Sequence, residues 1–342
     1  MSDPAPTRKK RSRFWLFAPY VVIAVLAVGY GAYWMVAKTR LERGIDAQAE
    51  AMRKAGYSVD IAGRRIDGFP FRLKASFPEL RIASPAGWAI AASGLAGQAY
   101  LHAPGHWVFT LPGSLSVTRP KGGELTIKGE TLRASVAGLG GPGWRFAAEG
   151  IKLAFTPGVG AAPFSLARAD RIDLNAKPGS EGTDQLLMLV RLQAGHAGQG
   201  AILHRIVAET PVTGLADLRL TKARSFAGPS FGSAARTWAE ADGRLEIVRI
   251  ELQGGQAAAW AKGGSVSAGR DGRMEGVVPL ELRQAPKSIA ALAGTVAPET
   301  ARTAAEIAAA RDRGGSASLN LVFQAGVTTL GPVPVGPSPR VF

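Results

Sequence analysis

Hydrophobic positions follow two regimes along the chain: one uninterrupted apolar run near the N-terminus, then short alternating runs almost to the end. From Phe14 to Val36 there are 23 residues without a charge. At ~1.5 Å per residue such a helix is ~35 Å long, enough to cross a hydrocarbon core of ~30 Å with some tilt. The run therefore predicts a transmembrane helix over 14–36. Trp15, Tyr20, Tyr33 and Trp34 fall towards its two ends, where amphipathic rings favour the interface, and Pro19 sits in the first turns. Arg8, Lys9, Lys10, Arg11 and Arg13 precede the run, while Lys38, Arg40 and Arg43 follow more sparsely. This bias predicts a cytoplasmic tail at 1–13, an inner-membrane anchor and an exported, periplasmic remainder. The run exceeds the ~7–15 apolar residues of a cleavable signal, and the small-x-small site Ala27-Val28-Gly29 lies in its middle, so the anchor is expected to be retained.

Leu41, Ile45, Ala49 and Met52 recur at three- and four-residue spacing, predicting a juxtamembrane helix over 37–56 closed by Gly56. Beyond it the period becomes two. Phe69, Phe71, Leu73, Ala75 and Phe77 share one face of a predicted strand, with Arg72, Lys74 and Ser76 on the other. After Pro78 the phase slips to Leu80 and Ile82, which calls for a bulge or tight turn at the proline. Further alternating runs carry Leu115/Val117, Leu125/Ile127, Phe146 onwards, Leu153/Phe155, Ile172/Leu174, Leu218/Leu220, Leu245/Ile247, Val266/Ala268 and Leu319/Leu321/Phe323. Turns such as Lys121-Gly122-Gly123 and Arg270-Asp271-Gly272 separate them, so antiparallel meanders are expected. Leu186 to Leu192 is apolar on both faces and predicts a strand covered on both sides. Helices are predicted at Ser233–Ala241 and Pro298–Arg313, with a shorter one at Lys287–Ala293, and the proline-rich tail Gly331–Pro339 should be extended. The fold class is mainly β (α+β), with residues 57–342 forming the exported part, in one unit or in halves dividing near 210–230.

Composition narrows the chemistry. The 342 residues include no cysteine, which removes disulfides, thiolate metal sites and thiol nucleophiles. Glycine (43) and proline (22) suit a turn-rich fold. The net charge of +15 invites a nucleic-acid reading, but the basic residues beyond the tail are dispersed and no recognition motif accompanies them. Anionic lipid headgroups, worth ~1 kcal/mol per nearby basic residue, fit better, and no nucleic-acid partner is expected.

Catalytic signatures fail on context. Gly138-Leu-Gly140-Gly-Pro-Gly143 leads into a strand-like run instead of a helix that could meet a pyrophosphate. Gly228-Pro-Ser230-Phe-Gly232 matches a nucleophile elbow, yet the last histidine, His204, precedes the serine, so the base that should follow it is missing. His102 and His106 are separated by Pro104 and Gly105, which preclude a helical chelating pair. No catalytic, cofactor-binding or metal-ligating residue is assigned, no cofactor is called for, and a non-enzymatic role is expected.

The segment Gly68-Phe69-Pro70-Phe71-Arg72-Leu73 directly after the anchor resembles the bacterial family known as domain of unknown function 2125. Gly243-Arg-Leu245 leading to Leu252-Gln-Gly254-Gly255, then Gly269-Arg-Asp-Gly272-Arg-Met-Glu-Gly276 and Gly331-Pro-Val-Pro334, extend the resemblance over most of the chain. That family is similar to the AsmA-like group of envelope proteins, and the resemblance implies a curved antiparallel sheet or partial-barrel groove with two or three short helices. It also implies handling of membrane phospholipid, with Phe69, Phe71, Leu73 and Phe77 as candidate groove lining, against ordinary core packing of the same four. The alternative is an envelope scaffold that binds a protein partner through a sheet edge.

Overall fold

The computed structural model describes residues 14–139, 141, 143–180, 182–283 and 316–342. The basic tail and the helices expected at 287–293 and 298–313 lie outside the described residues. One helix, α1 (Phe14–Lys54), unites the expected span and the juxtamembrane segment without a break. Nothing in the sequence interrupts it after Pro19, and the chain leaves it through Gly56 at φ +85°, the anticipated cap. Val25, Leu26 and Val28 on its first half are exposed, as expected of a surface meant for lipid.

Short strands β1 (Ser58–Asp60) and β2 (Arg65–Asp67) pair with the two ends of one long strand, β3 (Arg72–Ala83). The meander continues through β4 (Ala89–Tyr100), β5 (Trp107–Thr110), β6 (Leu115–Arg119), β7 (Gly123–Lys128), β8 (Thr131–Ala137) and β9 (Arg145–Pro157). Here β5 and β6 share the edge of β4, and β8 and β7 share the edge of β9, each pair acting as one interrupted strand. Then come β10 (Leu166–Pro178), β11 (Gln185–Ala197), the helix α2 (Ile202–Val207), β12 (Val212–Thr221), the helix α3 (Phe231–Glu240) and β13 (Leu245–Gly254). The last strands are β14 (Ala257–Lys262), β15 (Ser265–Ala268), β16 (Met274–Arg283), β17 (Ser316–Gln324), β18 (Val327–Leu330) and β19 (Val333–Pro337). All ladders are antiparallel, and pairing runs on through 210–230 by way of β12, which bonds to both β11 and β13.

The phase slip at Pro78 is real, and it belongs to the whole sheet. Phe77 pairs with Leu95 and Glu79 with Ser93, so β3 and β4 keep their register while Pro78 faces Gly94 at φ +76°. Further along, Lys152 (φ +48°) faces Asp170, which faces Ala194 (φ +45°). Between these points fall the breaks separating β5 from β6 and β7 from β8. The apolar positions change parity at each crossing: Phe146, Ala148 and Gly150 give way to Leu153 and Phe155, and Met188, Val190 and Leu192 to Gly195 and Ala197. Leu153, Phe155 and Ala169 nonetheless pack in one cluster with Leu132, Ile172 and Leu192 from the other side of the line. The proline and the left-handed residues thus form a crease along which the sheet folds towards its apolar side, giving a curved sheet.

The core is a chain of small clusters along that inner face. Leu282, Leu319, Leu330 and Val333 form one; Ile247, Ala261, Val266, Val278 and Phe323 form the next. Val207 of α2 packs on Ala197, Val212 and Ala257. At the N-terminal end, Trp34 of α1 packs on Leu73 and Leu101. The outer face is held by ion pairs: Glu149 bridges Arg133 (2.7 Å) and Arg171 (2.8 Å), and Arg171 also meets Asp173 (2.9 Å). The helix expected at Ser233–Ala241 is present at Phe231–Glu240, with Ser230 as its N-cap.

Candidate functional site

The inner face between β8 and β12 is apolar in every row. Val136, Phe146, Ala176, Met188 and Leu218 lie opposite one another across five strands, and the next row is Ala134, Ala148, Leu174, Val190 and Ala216. A third row, Leu132, Gly150, Ile172, Leu192 and Gly214, completes it, with no charged or hydrogen-bonding side chain among the fifteen. Alternation produces this surface: each strand puts its apolar parity inward and Arg133, Glu149, Asp173 and Arg191 outward.

What distinguishes this region is what covers it. Clusters under α1, α2 and the C-terminal strands are buried, whereas Val136, Phe146, Leu174, Met188, Val190 and Leu218 are only half-buried. Among the described residues Val136, Phe146, Leu174, Met188 and Val190 join no buried cluster, while Leu218 packs at the margin of the one around Ile247 and Phe323. The result is an apolar trough. Five strands at about 4.8 Å spacing make it about 19 Å long, against about 15 Å for a chain spanning half of a ~30 Å hydrocarbon core. Leu186 to Leu192, expected to be covered on both sides, is instead half-buried on both, because the inner side is this trough and the outer side is solvent.

The four residues singled out from the sequence divide. Leu73 and Phe77 do lie on the inner face, and Leu73 begins the row that passes through Ala99 and Trp107 to Val136. Leu73, however, is sealed beneath Trp34 and belongs to the core. Phe69 and Phe71 are not on a strand. Gly68 at φ +104° and the bond from Arg72 N–H to Gly68 O (2.9 Å) turn the chain, so β3 begins only at Arg72 and both rings are exposed. Alternation alone had carried the strand through Pro70. The residues missed were those of the central rows, whose runs marked strands but gave no sign of what covered them.

The other candidates are placed as follows. Ser230 Oγ accepts from Ser233 N–H (3.2 Å) in a reciprocal cap, so its hydroxyl is engaged at the helix start. His204 in α2 and Ser230 before α3 lie beyond opposite ends of β12, whose ten residues span about 30 Å. His102 stacks against Tyr100 at 5.2 Å, and among the described residues no group of three or more His, Asp or Glu is placed to hold a metal ion. Gly138 sits at φ +72° in a turn; residues 140 and 142 of the same motif are outside the described part. A hollow of about 1020 Å³ on the outer side of β14, β16 and β17 is lined by mixed charges, including Glu251, Lys262, Glu281 and Arg283. It lacks the trough's chemical uniformity.

No curated protein and no solved structure matches the chain. A family model does, over residues 34–339, beginning at the tryptophan that ties α1 to the sheet. The chain therefore belongs to the bacterial family described as "Uncharacterized protein conserved in bacteria (DUF2125)".

Proposed function

We propose that this protein is a single-span inner-membrane protein that holds or passes the acyl chains of membrane phospholipid in the apolar trough between β8 and β12, on the periplasmic side. One observation carries the reading: fifteen inner-face positions across five neighbouring strands are free of polar side chains, and among them Val136, Phe146, Leu174, Met188 and Val190 are half-buried and, among the described residues, belong to no buried cluster. Water over such a surface is costly, and each methylene that replaces it contributes about 0.8 kcal/mol. The apolar α1 supports an anchor, the basic flank supports the orientation, and the AsmA-like resemblance of the sequence is in keeping with both.

The scaffold alternative requires an available sheet edge, and the edges are poor templates. Among the described residues β19 pairs with β18 alone, and it has proline at two of its five positions, Pro334 and Pro337, which cannot donate to a ladder. At the other edge β1 and β2 are three residues each. The test is a photo-crosslinking amino acid placed at Leu174 or at Asn175 in the full-length protein in cells. Phospholipid adducts at 174 and not at 175 are expected; equal labelling at both, or none at either, sinks the reading.

A further inference from the structure

The turn Gly68–Phe71 is attached to the wrong part of the helix for a loop that lives in water. Tyr30 Oη donates to Pro70 O (2.9 Å), and Trp34 Nε1 donates to Arg72 O (2.9 Å). Phe69 meets the Trp34 ring edge-on at 5.6 Å. Both partners belong to the uncharged run that ends at Val36, before the first charge at Lys38. Tyr30 lies six residues inside that end, about 9 Å at helical rise, and Trp34 two residues, about 3 Å.

The turn is therefore fixed alongside the last two turns of the span. Its side chains match that position. Phe69 is 59% exposed and Phe71 67% exposed, pointing away from the protein where water would be the alternative solvent. Charges begin immediately outside: Arg72 stacks over Tyr100 at 4.9 Å, and Lys38 lies over Trp34 at 5.9 Å. An aromatic tip followed by a basic rim is the order of a segment that crosses from hydrocarbon to headgroups.

We infer that Phe69 and Phe71 are a membrane wedge, immersed in the leaflet that faces the β-sheet and seating the end of β3 and β4 in the bilayer. The partner is the acyl and glycerol region of an anionic phospholipid bilayer. This inference rests on the anchor in α1 and is independent of what fills the trough.

The absence of cysteine makes the test direct. Full-length Phe71→Cys, Phe69→Cys and Val159→Cys are each labelled with an environment-sensitive fluorophore and reconstituted in nanodiscs of phosphatidylethanolamine and phosphatidylglycerol. Val159, fully exposed in the loop after β9, is the aqueous reference. At positions 69 and 71 the emission should shift to the blue, resist iodide, and be quenched by lipids carrying a spin label high on the acyl chain; at 159 all three should reverse. Iodide quenching at both 69 and 71 equal to that at 159, without quenching by lipid, overturns the wedge. Crosslinking at Leu174 is a separate readout, so failure of the wedge leaves the trough proposal standing, and the converse.

Discussion

Leu174→Glu separates an open trough from a packed core. Leu174 lies mid-trough, with Ala148 and Val190 opposite it and Ile172 and Ala176 beside it on β10, so no side chain around it can pair with a carboxylate. With the trough empty the new carboxylate stays hydrated, and the loss is about 1 kcal/mol, roughly half of what a fully buried leucine contributes. Under an acyl chain the same group must give up water. Desolvation of that kind can raise a carboxyl pKa by up to about 3–5 units, past neutrality, so at pH 7 the group takes up a proton instead, at a cost of about 3.7 kcal/mol (roughly 2.7 units above about 4.3, at about 1.36 kcal/mol each). Lipid affinity should fall by about 500-fold, while thermal unfolding shifts by only a few degrees. Asn175→Glu puts the same charge on the exposed outer face of the same strand and should retain lipid. Native mass spectrometry of the full-length protein released from detergent, with unfolding followed on the same preparations, measures both. Lipid retained by Leu174→Glu at the wild-type level refutes the reasoning, as does global unfolding of that variant, which would mean the trough is core.

Four further outcomes follow from particular contacts. Gly243→Ala places a methyl group into the indole of Trp238, which is 5% exposed and donates to Thr221 O at 2.7 Å; expelling that ring should cost about 3 kcal/mol in chemical denaturation. Trp34→Ala removes the helix's contact with Leu73 and Leu101 and should cost about 3–5 kcal/mol, read as faster proteolysis of β3 and β4 in nanodiscs. Ala194→Gly relieves a φ of +45° at the crease and should raise stability by about 1 kcal/mol, whereas a fall would show that the methyl group packs. Arg64 hydrogen-bonds Asp46 (2.6 Å) and holds its carboxyl below the usual carboxylate range, so this tie between α1 and the β1–β2 loop is present above the ordinary value of 3.8 and lost as pH falls through the lowered one; hydrogen exchange at 61–64 should quicken there, and Asp46→Asn should remove the pH dependence.

Much of the fold could be inferred from period alone. Runs such as Leu115/Val117, Leu125/Ile127 and Leu319/Leu321/Phe323 became strands because alternation fixes which side chains share a face whatever the neighbours are. Three features resisted. The meaning of the slip at Pro78 depends on Gly94, Lys152 and Ala194 falling opposite one another in register, and register between distant strands is not written in any one of them. Phe69 and Phe71 continue the parity of Leu73, so only the positive φ of Gly68 and the grip of Tyr30 and Trp34 reveal a turn. Trp34 itself looked like an interfacial ring facing lipid and is instead 7% exposed, sealed by a strand 39 residues later in sequence.

The trough was the least legible element because it is defined by missing coverage among the described residues. A sheet with one apolar face ordinarily acquires a second layer, and this chain has material for it, with 46% hydrophobic residues and helices at several junctions. It places α1 over β3 and Leu101 and α2 over β11 and β12, and α3 buries Ala234, Ala235 and Trp238 beyond the end of β12. Between those helices Phe146, Leu174, Met188 and Val190 stay half-covered across contiguous strands. Fold stability would be served by sealing them, since each such side chain contributes about 1.5–3 kcal/mol when fully buried. The crease acts in the same sense: Lys152 and Ala194 accept left-handed backbone, at about 1–2 kcal/mol each, where the sheet bends beside the open strip. The first cost falls on the half-covered side chains and the second on the crease beside them, and an acyl chain laid along the crease would offset the first and make use of the second.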